Sequence, residues 1–290
     1  MSKPDDSVVI TNPWQSLRRF TAARIALGRS GISQPTAPQL AFQLAHARAR
    51  DAVHAELNHA ALAGELHAAC GLPCVSLHSA ARDRHEYLQR PDLGRQLDAA
   101  SRAQLATLAV PMTDAAPGAP SASSPLAASA PAAGCDVAIV IADGLSALAI
   151  EQNARPLLQS LLARLNAEQW TIAPLTIVRQ GRVAIGDEIA HLLRARAVVV
   201  LIGERPGLSS PDSMGLYLTW SPRPGLTDAS RNCISNVRPA GLTYDAAAFK
   251  LHYLLSESRR RQLSGVALKD ETANDVTTLD AAPRNFLLDQ

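Results

Sequence analysis

Apolar positions recur at three- and four-residue steps through the first third of the chain and gather into short unbroken runs thereafter. In "TNPWQSLRRFTAARIALGRSG", Leu17, Phe20, Ala23 and Leu27 fall at helical spacing, with Arg18, Arg19 and Arg24 on other faces. Asn12 suits an N-cap, Pro13 the first helical position, and Gly28 stands near the C-terminus. "TAPQLAFQLAHARARDAVHAEL" predicts a longer helix opened by Thr36 or Pro38, and "RPDLGRQLDAASRAQLATLA" another from Pro91. No strand pattern of comparable quality precedes residue 110, so residues 1–110 are predicted to form a helical domain.

A compositional seam follows. Residues 110–134 are almost wholly Ala, Pro, Ser and Gly. Such a segment has too little apolar surface to offset the entropy of ordering it, and reads as a flexible linker or disordered insertion. Beyond it, "CDVAIVIADGLS" is a short β-branched run followed by the amphipathic "ALAIEQNARPLLQSLLARLNAE". "WTIAPLTIVRQG" and "AVVVLIGERPG" predict two further strands, with "RVAIGDEIAHLLRA" supplying a turn and helix between them. "MGLYLTWSPR" alternates as an edge or antiparallel strand would, and "TYDAAAFKLHYLLSESRRRQLSG" predicts a closing helix. The expected organisation is an N-terminal helical domain (1–110), an Ala/Pro/Ser-rich linker (111–134) and a Rossmann-like α/β domain (135–290), whose mostly parallel sheet carries helices on both faces.

Open α/β sheets bind ligands beyond the carboxyl ends of their strands. "IADGLS", "VRQGRVAIGD" and "LIGERPGL" all end there, and bring Asp143, Arg179, Arg182, Glu204 and Arg205 to one edge. "RNCISNVRP" follows the alternating strand and is expected nearby. Taken singly, each tail reads as ordinary turn chemistry, with Asp143 and Asp187 as helix caps. Their convergence on one edge marks a site.

The common ligands do not fit it. The chain has neither G-x-G-x-x-G after a strand nor G-x-x-x-x-G-K-[ST], which excludes the dinucleotide fingerprint and the phosphate-cradling loop. It has no G-x-S-x-G nucleophile elbow, and Ser209 and Ser210 have no histidine at a family spacing. A base-off cobalamin site would need D-x-H-x-x-G, but "DRHEYL" has Asp83 and His85 with Leu88 in place of glycine.

Composition removes other classes. The net charge is +2, and no basic stripe interleaves with aromatics to suggest nucleic acid. Aromatics are 4% of residues against 47% hydrophobic, which favours close Ala/Leu/Val packing over an aromatic base platform. No apolar run approaches the roughly 20 residues of a membrane helix, so a soluble cytoplasmic protein is expected. Cys70, Cys74, Cys135 and Cys233 are expected as free thiols. His67, Cys70, Cys74 and His78 form H-x2-C-x3-C-x3-H, but structural zinc sites separate their ligand pairs by a longer loop. Thiols buried as small apolar groups and surface histidines are the ordinary reading, so no metal site is expected. Arg259, Arg260 and Arg261 read as a solvated helix end, and His191 and His252 as helix residues without a nearby partner.

"RVAIGDEI", "VLIGERPGL", "YLTWSPR" and "CISNVRPAG", with "YLQRPDLGRQL" and "VIADGLS" upstream, resemble the small (light) subunit of ethanolamine ammonia-lyase. The resemblance runs from about Asn12 to Gly265, excluding the linker, which is longer than the family pattern. It implies a subunit of a carbon–nitrogen lyase that converts ethanolamine to acetaldehyde and ammonia with adenosylcobalamin. By that resemblance, radical chemistry belongs to a large (β/α)8-barrel subunit, in a dodecamer of six large and six small chains. The small chain closes over the cofactor and holds no catalytic residue. The family's cobalamin contacts fall on Val183 in "RVAIGD", Glu204 in "IGERPG" and Cys233 in "CISN". The family binds the cofactor base-on, which accords with the missing D-x-H-x-x-G. Some members occupy bacterial microcompartments and often carry an extra N-terminal segment. Here twelve residues precede Pro13, so the cytoplasm is the expected location and a microcompartment the second. A self-sufficient α/β enzyme and a nucleotide-binding or scaffolding module at the same strand ends are the competing readings.

Overall fold

A computed structural model describes residues 8–109 and 134–272. The predicted linker lies almost entirely outside the described residues. In chain order the main elements are α1 (Thr36–His54), α2 (His59–Cys70), β1 (Cys74–His78), α3 (Arg84–Gln89), α4 (Ala99–Ala109), β2 (Val137–Ala142), α5 (Ala147–Ala167), β3 (Leu175–Arg179), α6 (Ile185–Leu192), β4 (Ala197–Gly203), β5 (Met214–Trp220), β6 (Arg231–Val237) and α7 (Tyr244–Arg261). The six strands form one sheet in the order β1-β3-β2-β4-β5-β6. The first four run parallel, whereas β5 and β6 are antiparallel to their neighbours.

Strand composition explains the layering. β2 and β4 are buried along their whole length, as parallel strands covered on both faces must be. Alternate residues feed two cores. Ile139, Ile141, Val199 and Leu201 pack with α2, α5 and α7, while Ala138, Val140, Val198 and Val200 pack with α4 and α6. α5 follows β2 onto the first face, and α6 follows β3 onto the second.

Four local expectations change. First, β1 lies within the segment predicted to be all helical, and pairs with β3 in register from Cys74↔Leu175 to His78↔Arg179. Only Val75 and Leu77 of its five residues are buried, so an edge strand this short carries too little alternation to stand out. Second, the helix predicted after Asn12 is a 3-10 turn over Pro13–Phe20. Asn12 caps it as expected, but Thr21 is extended and its hydroxyl accepts from the Ala23 amide, an alternative to helical bonding. Third, the helix predicted from Pro91 begins at Ala99, where Asp98 accepts from the Ser101 amide. Fourth, "MGLYLTW" is antiparallel but interior, because "RNCISNV" adds a strand outside it.

Candidate functional site

The crevice expected from topology lies between the carboxyl ends of β2 and β3, whose following helices depart to opposite faces. It is plugged by the chain's own side chains. Asp143 is buried and accepts from the Gly181 amide at 3.1 Å, and lies 3.5 Å from the Arg84 guanidinium. Arg84 also donates to the carbonyls of Val53 (2.7 Å) and Gly144 (2.8 Å), joining the end of α1 to the tip of β2. Arg84 and Arg182 stack on the fully buried Tyr87 ring at 4.8 and 4.3 Å. Arg182 also donates to the Tyr87 carbonyl at 3.2 Å. The remaining hollow, lined by Asp143, Arg179 and Gln180 among others, is about 20 Å³, room for one water. Burial pushes the Asp143 carboxyl up from its ordinary range, with Arg84 and backbone amides opposing the shift. Asp143 is therefore no helix cap; Ser146 caps α5 through the Ala149 amide.

Glu204 and Cys233, two of the three resemblance-derived residues, lie on the other side of β2, where β4, β5 and β6 run beyond the cover of α6. Gly203 ends β4 against the β2 turn: a side chain there would place Cβ 2.0 Å from the Ser146 carbonyl and 2.5 Å from that of Asp143. This close approach delivers Glu204 past the sheet edge. The Glu204 carboxylate accepts from the Ser213 hydroxyl and, at 3.3 Å, from the Asn236 amide, both through Oε2. Its Oε1 has no hydrogen-bond partner among the described residues.

The Asn236 amide is available because β6 carries one extra residue. Met214 pairs with Val237, but Leu216 pairs with Ile234, which bulges the ladder at Ser235–Asn236. Asn236 takes up a left-handed φ of 59°, a conformation asparagine tolerates better than most residues. Gly241 allows the following turn to close on it, since a Cβ there would lie 2.3 Å from the Asn236 carbonyl. Thus "CISN" supplies a re-aimed backbone donor as well as Cys233.

Tyr217, which sequence reasoning did not single out, occupies the middle of this face. It is half-buried, paired across strands with Val200 on one side and Cys233 on the other. Its hydroxyl and the Cys233 thiol influence one another, and Glu204 is close enough to act on both electrostatically. Desolvation pushes the Cys233 thiol up; the Tyr217 hydroxyl opposes this and the Glu204 charge adds to it. Cys233 is therefore a protonated thiol at neutral pH, with an exposed flank on the edge strand. Gly215 completes the floor: a Cβ there would lie 2.9 Å from Glu204 Oε1 and 3.3 Å from the Tyr217 ring.

Val183 lies in the turn into α6, half-buried against the same core that Tyr217 covers. Asp187, four residues later, is not a cap. It forms a bidentate pair with Arg231 at 2.7 and 2.8 Å, both side chains 2% exposed. Arg231 also donates to Thr219 and to the Leu226 carbonyl at 3.1 Å. Since Arg231 precedes Cys233 by two residues, this pair locks the Val183 turn to the Cys233 strand. Its signal in sequence is only an aspartate and an arginine within motifs noted for other residues.

His67, Cys70, Cys74 and His78 are spread along α2 and β1. β1 spaces Cys74 from His78 by about 13 Å of extended chain. Both histidines face carbonyls, His67 that of Leu72 and His78 that of Ser79. Asp83 caps α3 through the Glu86 amide. His252 does have a neighbour, with Nε2 2.9 Å from Glu168. Arg260 and Arg261 pair with Glu257, and Arg259 stacks on Trp170 at 4.8 Å. No described helix is long and apolar enough to cross a membrane.

The ethanolamine ammonia-lyase light chain (EutC) family matches residues 11–269. An ethanolamine ammonia-lyase small subunit from Ralstonia nicotianae is 58% identical over 98% of this chain and 97% of its own length. One from Azotobacter vinelandii is 57% identical over 98% of each chain, and one from Xanthomonas campestris pv. campestris 55% identical over 95% of each. The chain thus belongs to the ethanolamine ammonia-lyase small-subunit family, as a subunit of a carbon–nitrogen ammonia-lyase.

Proposed function

We propose that this chain is the cofactor-clamping subunit of an adenosylcobalamin-dependent ethanolamine ammonia-lyase, and that its β4–β6 face holds the rim of the cobalamin. The observation that carries the reading is the Glu204 carboxylate, fixed through one oxygen and unbonded at the other, above a glycine floor flanked by Tyr217 and Cys233. A base-on cobalamin is a wide, nearly neutral macrocycle rimmed with carboxamides. It calls for spread acceptors and an apolar wall rather than a dense phosphate clamp. Glu204 accepts from carboxamide N–H groups, a charge-assisted bond stronger than a neutral one. Val183 and the Tyr217 ring give the apolar wall, and the Cys233 thiol a small weakly polar contact.

Packing also argues against a nucleotide. The β2/β3 crevice, where a nucleotide would sit, is filled by Arg84 and Tyr87.

When bound, adenosylcobalamin supplies the radical chemistry of the elimination that yields acetaldehyde and ammonia. This chain's part is binding and exclusion of water. Glu204 grips the rim, Val183 and Tyr217 cover apolar surface, and the Arg231–Asp187 pair fixes the span between the two contact segments. The catalytic groups belong to a large subunit, in a dodecamer of six large and six small chains. Its place is the cytoplasm, with a microcompartment as the alternative. Residues 1–110 serve as the docking part and 135–290 as the cofactor-contacting part.

The test is ethanolamine deamination with adenosylcobalamin, assayed with this chain, the large subunit, and both together. Activity only in the mixture is expected. Activity of this chain alone would overturn the proposal.

A further inference from the structure

The N-terminal segment carries a surface the fold leaves uncovered. Ten of the twelve large apolar side chains that are exposed among the described residues fall between Val8 and Leu44, including Trp14, Ile25, Ile32, Leu40, Phe42 and Leu44. α1 runs for 19 residues, yet its buried residues are Ala49 and Ala52, both near its C-terminal end. Its first three turns therefore lie against no core, and a helical stretch of that length is marginal in water by itself. Two adjoining hollows, of about 460 and 450 Å³, separate α1 from the preceding segment and share Arg24, Leu27 and Pro38 as walls.

Charge points to the chemistry of whatever covers this face. Between Val8 and Arg50 the sequence has six arginines (18, 19, 24, 29, 48 and 50) and no Asp or Glu. None of the six makes an ion pair among the described residues. The complementary surface is apolar at its centre and rimmed with carboxylates.

Position decides between occupants. Arg24 donates to Ser209 Oγ and to the Leu208 carbonyl, both at 3.3 Å, and Leu208 lines one of the hollows. The face is therefore continuous with the loop that begins at Glu204. A protein that meets this chain across the β4–β6 face runs directly onto it, whereas a second copy of this chain has no such constraint. From this continuity we infer that residues 13–48 form the primary docking surface for the large subunit, which presents an acidic-rimmed apolar patch. The inference rests on the partnered reading above.

Hydrogen–deuterium exchange on the full chain, alone and with co-expressed large subunit, tests it together with a substitution pair. Leu40→Asp with Leu44→Asp alters one exposed helix face and leaves Val183, Glu204 and Cys233 in place. Peptides spanning 13–48 are expected to gain protection in the complex. The double variant is expected to keep the thermal midpoint of the unaltered chain and to bind the large subunit at least tenfold more weakly. Phe249→Asp, at an exposed apolar site on α7, is expected to bind normally. Unchanged affinity of the Leu40/Leu44 variant would overturn the inference while leaving the partnered reading intact. So would protection of 13–48 that arises only from self-association of this chain or on phosphatidylglycerol vesicles. Failure of the unaltered chain to bind the large subunit would overturn both.

Discussion

The two regions at the carboxyl ends of the strands use similar residues to opposite effect. At β2/β3, an arginine, an aspartate and a tyrosine are packed against one another until about 20 Å³ remains. At β4–β6, a glutamate, a tyrosine and a cysteine stand on a glycine floor, while the comparable Arg231–Asp187 pair is withdrawn behind them into the protein. In the first region the side chains fill a crevice that topology offers to a ligand, and leave Arg84 Nη2 and Arg182 Nε buried without a hydrogen-bond partner among the described residues. In the second, Glu204 Oε1 lacks such a partner at the rim of the face. The difference is where the buried ion pair sits relative to the surface, so sheet topology alone points to a crevice that the chain's own side chains already fill.

Substitutions should separate the closed, structural region from the open one proposed to grip the cofactor. Tyr87→Ala removes the ring on which Arg84 and Arg182 stack and should cost about 3–5 kcal/mol in chemical denaturation. Arg231→Met leaves Asp187 buried without its partner and should cost about 3 kcal/mol. Combining it with Asp187→Leu should restore most of that loss, because the unpaired charge goes too. Full stability of Arg231→Met alone would mean the pair does not hold α6 to β6. In the open region, stability should hardly move and reactivity should. The raised Cys233 thiol means its alkylation by iodoacetamide should keep accelerating above pH 9. Glu204→Gln removes a charge that disfavours the thiolate and should speed alkylation at a fixed pH. Tyr217→Phe removes a donor that favours it and should slow the reaction. Cys233→Ala should have the smallest effect on cobalamin affinity, about twofold, since a small thiol contributes mainly packing. Complete loss of activity in that variant would contradict a gripping role.

The buried strands were legible because β2 and β4 are continuous β-branched runs, and α5 and α7 because their apolar residues recur at helical spacing. β1 was not, since an edge strand of five residues with two buried positions leaves almost no pattern. β6 was hidden by its bulge, which breaks the alternation at Ser235–Asn236. The site was legible only through family resemblance. Nothing in local spacing announces that Asp187 meets Arg231 across 44 residues, or that Tyr217 would pair with Cys233. The plug was hidden for the same reason, because Arg84 acts through the carbonyls of Val53 and Gly144, and any sequence could offer those.

The central proposal is that Glu204 grips the cofactor rather than reacts. The decisive measurement is the adenosylcobalamin dependence of ethanolamine deamination by the large subunit reconstituted with Glu204→Ala. Losing one charge-assisted hydrogen bond of about 1.5 kcal/mol or more should raise the half-saturating cofactor concentration roughly tenfold. Turnover at saturating cofactor should stay near that of the unaltered complex. An unchanged cofactor requirement, or turnover abolished at saturation, would contradict the account.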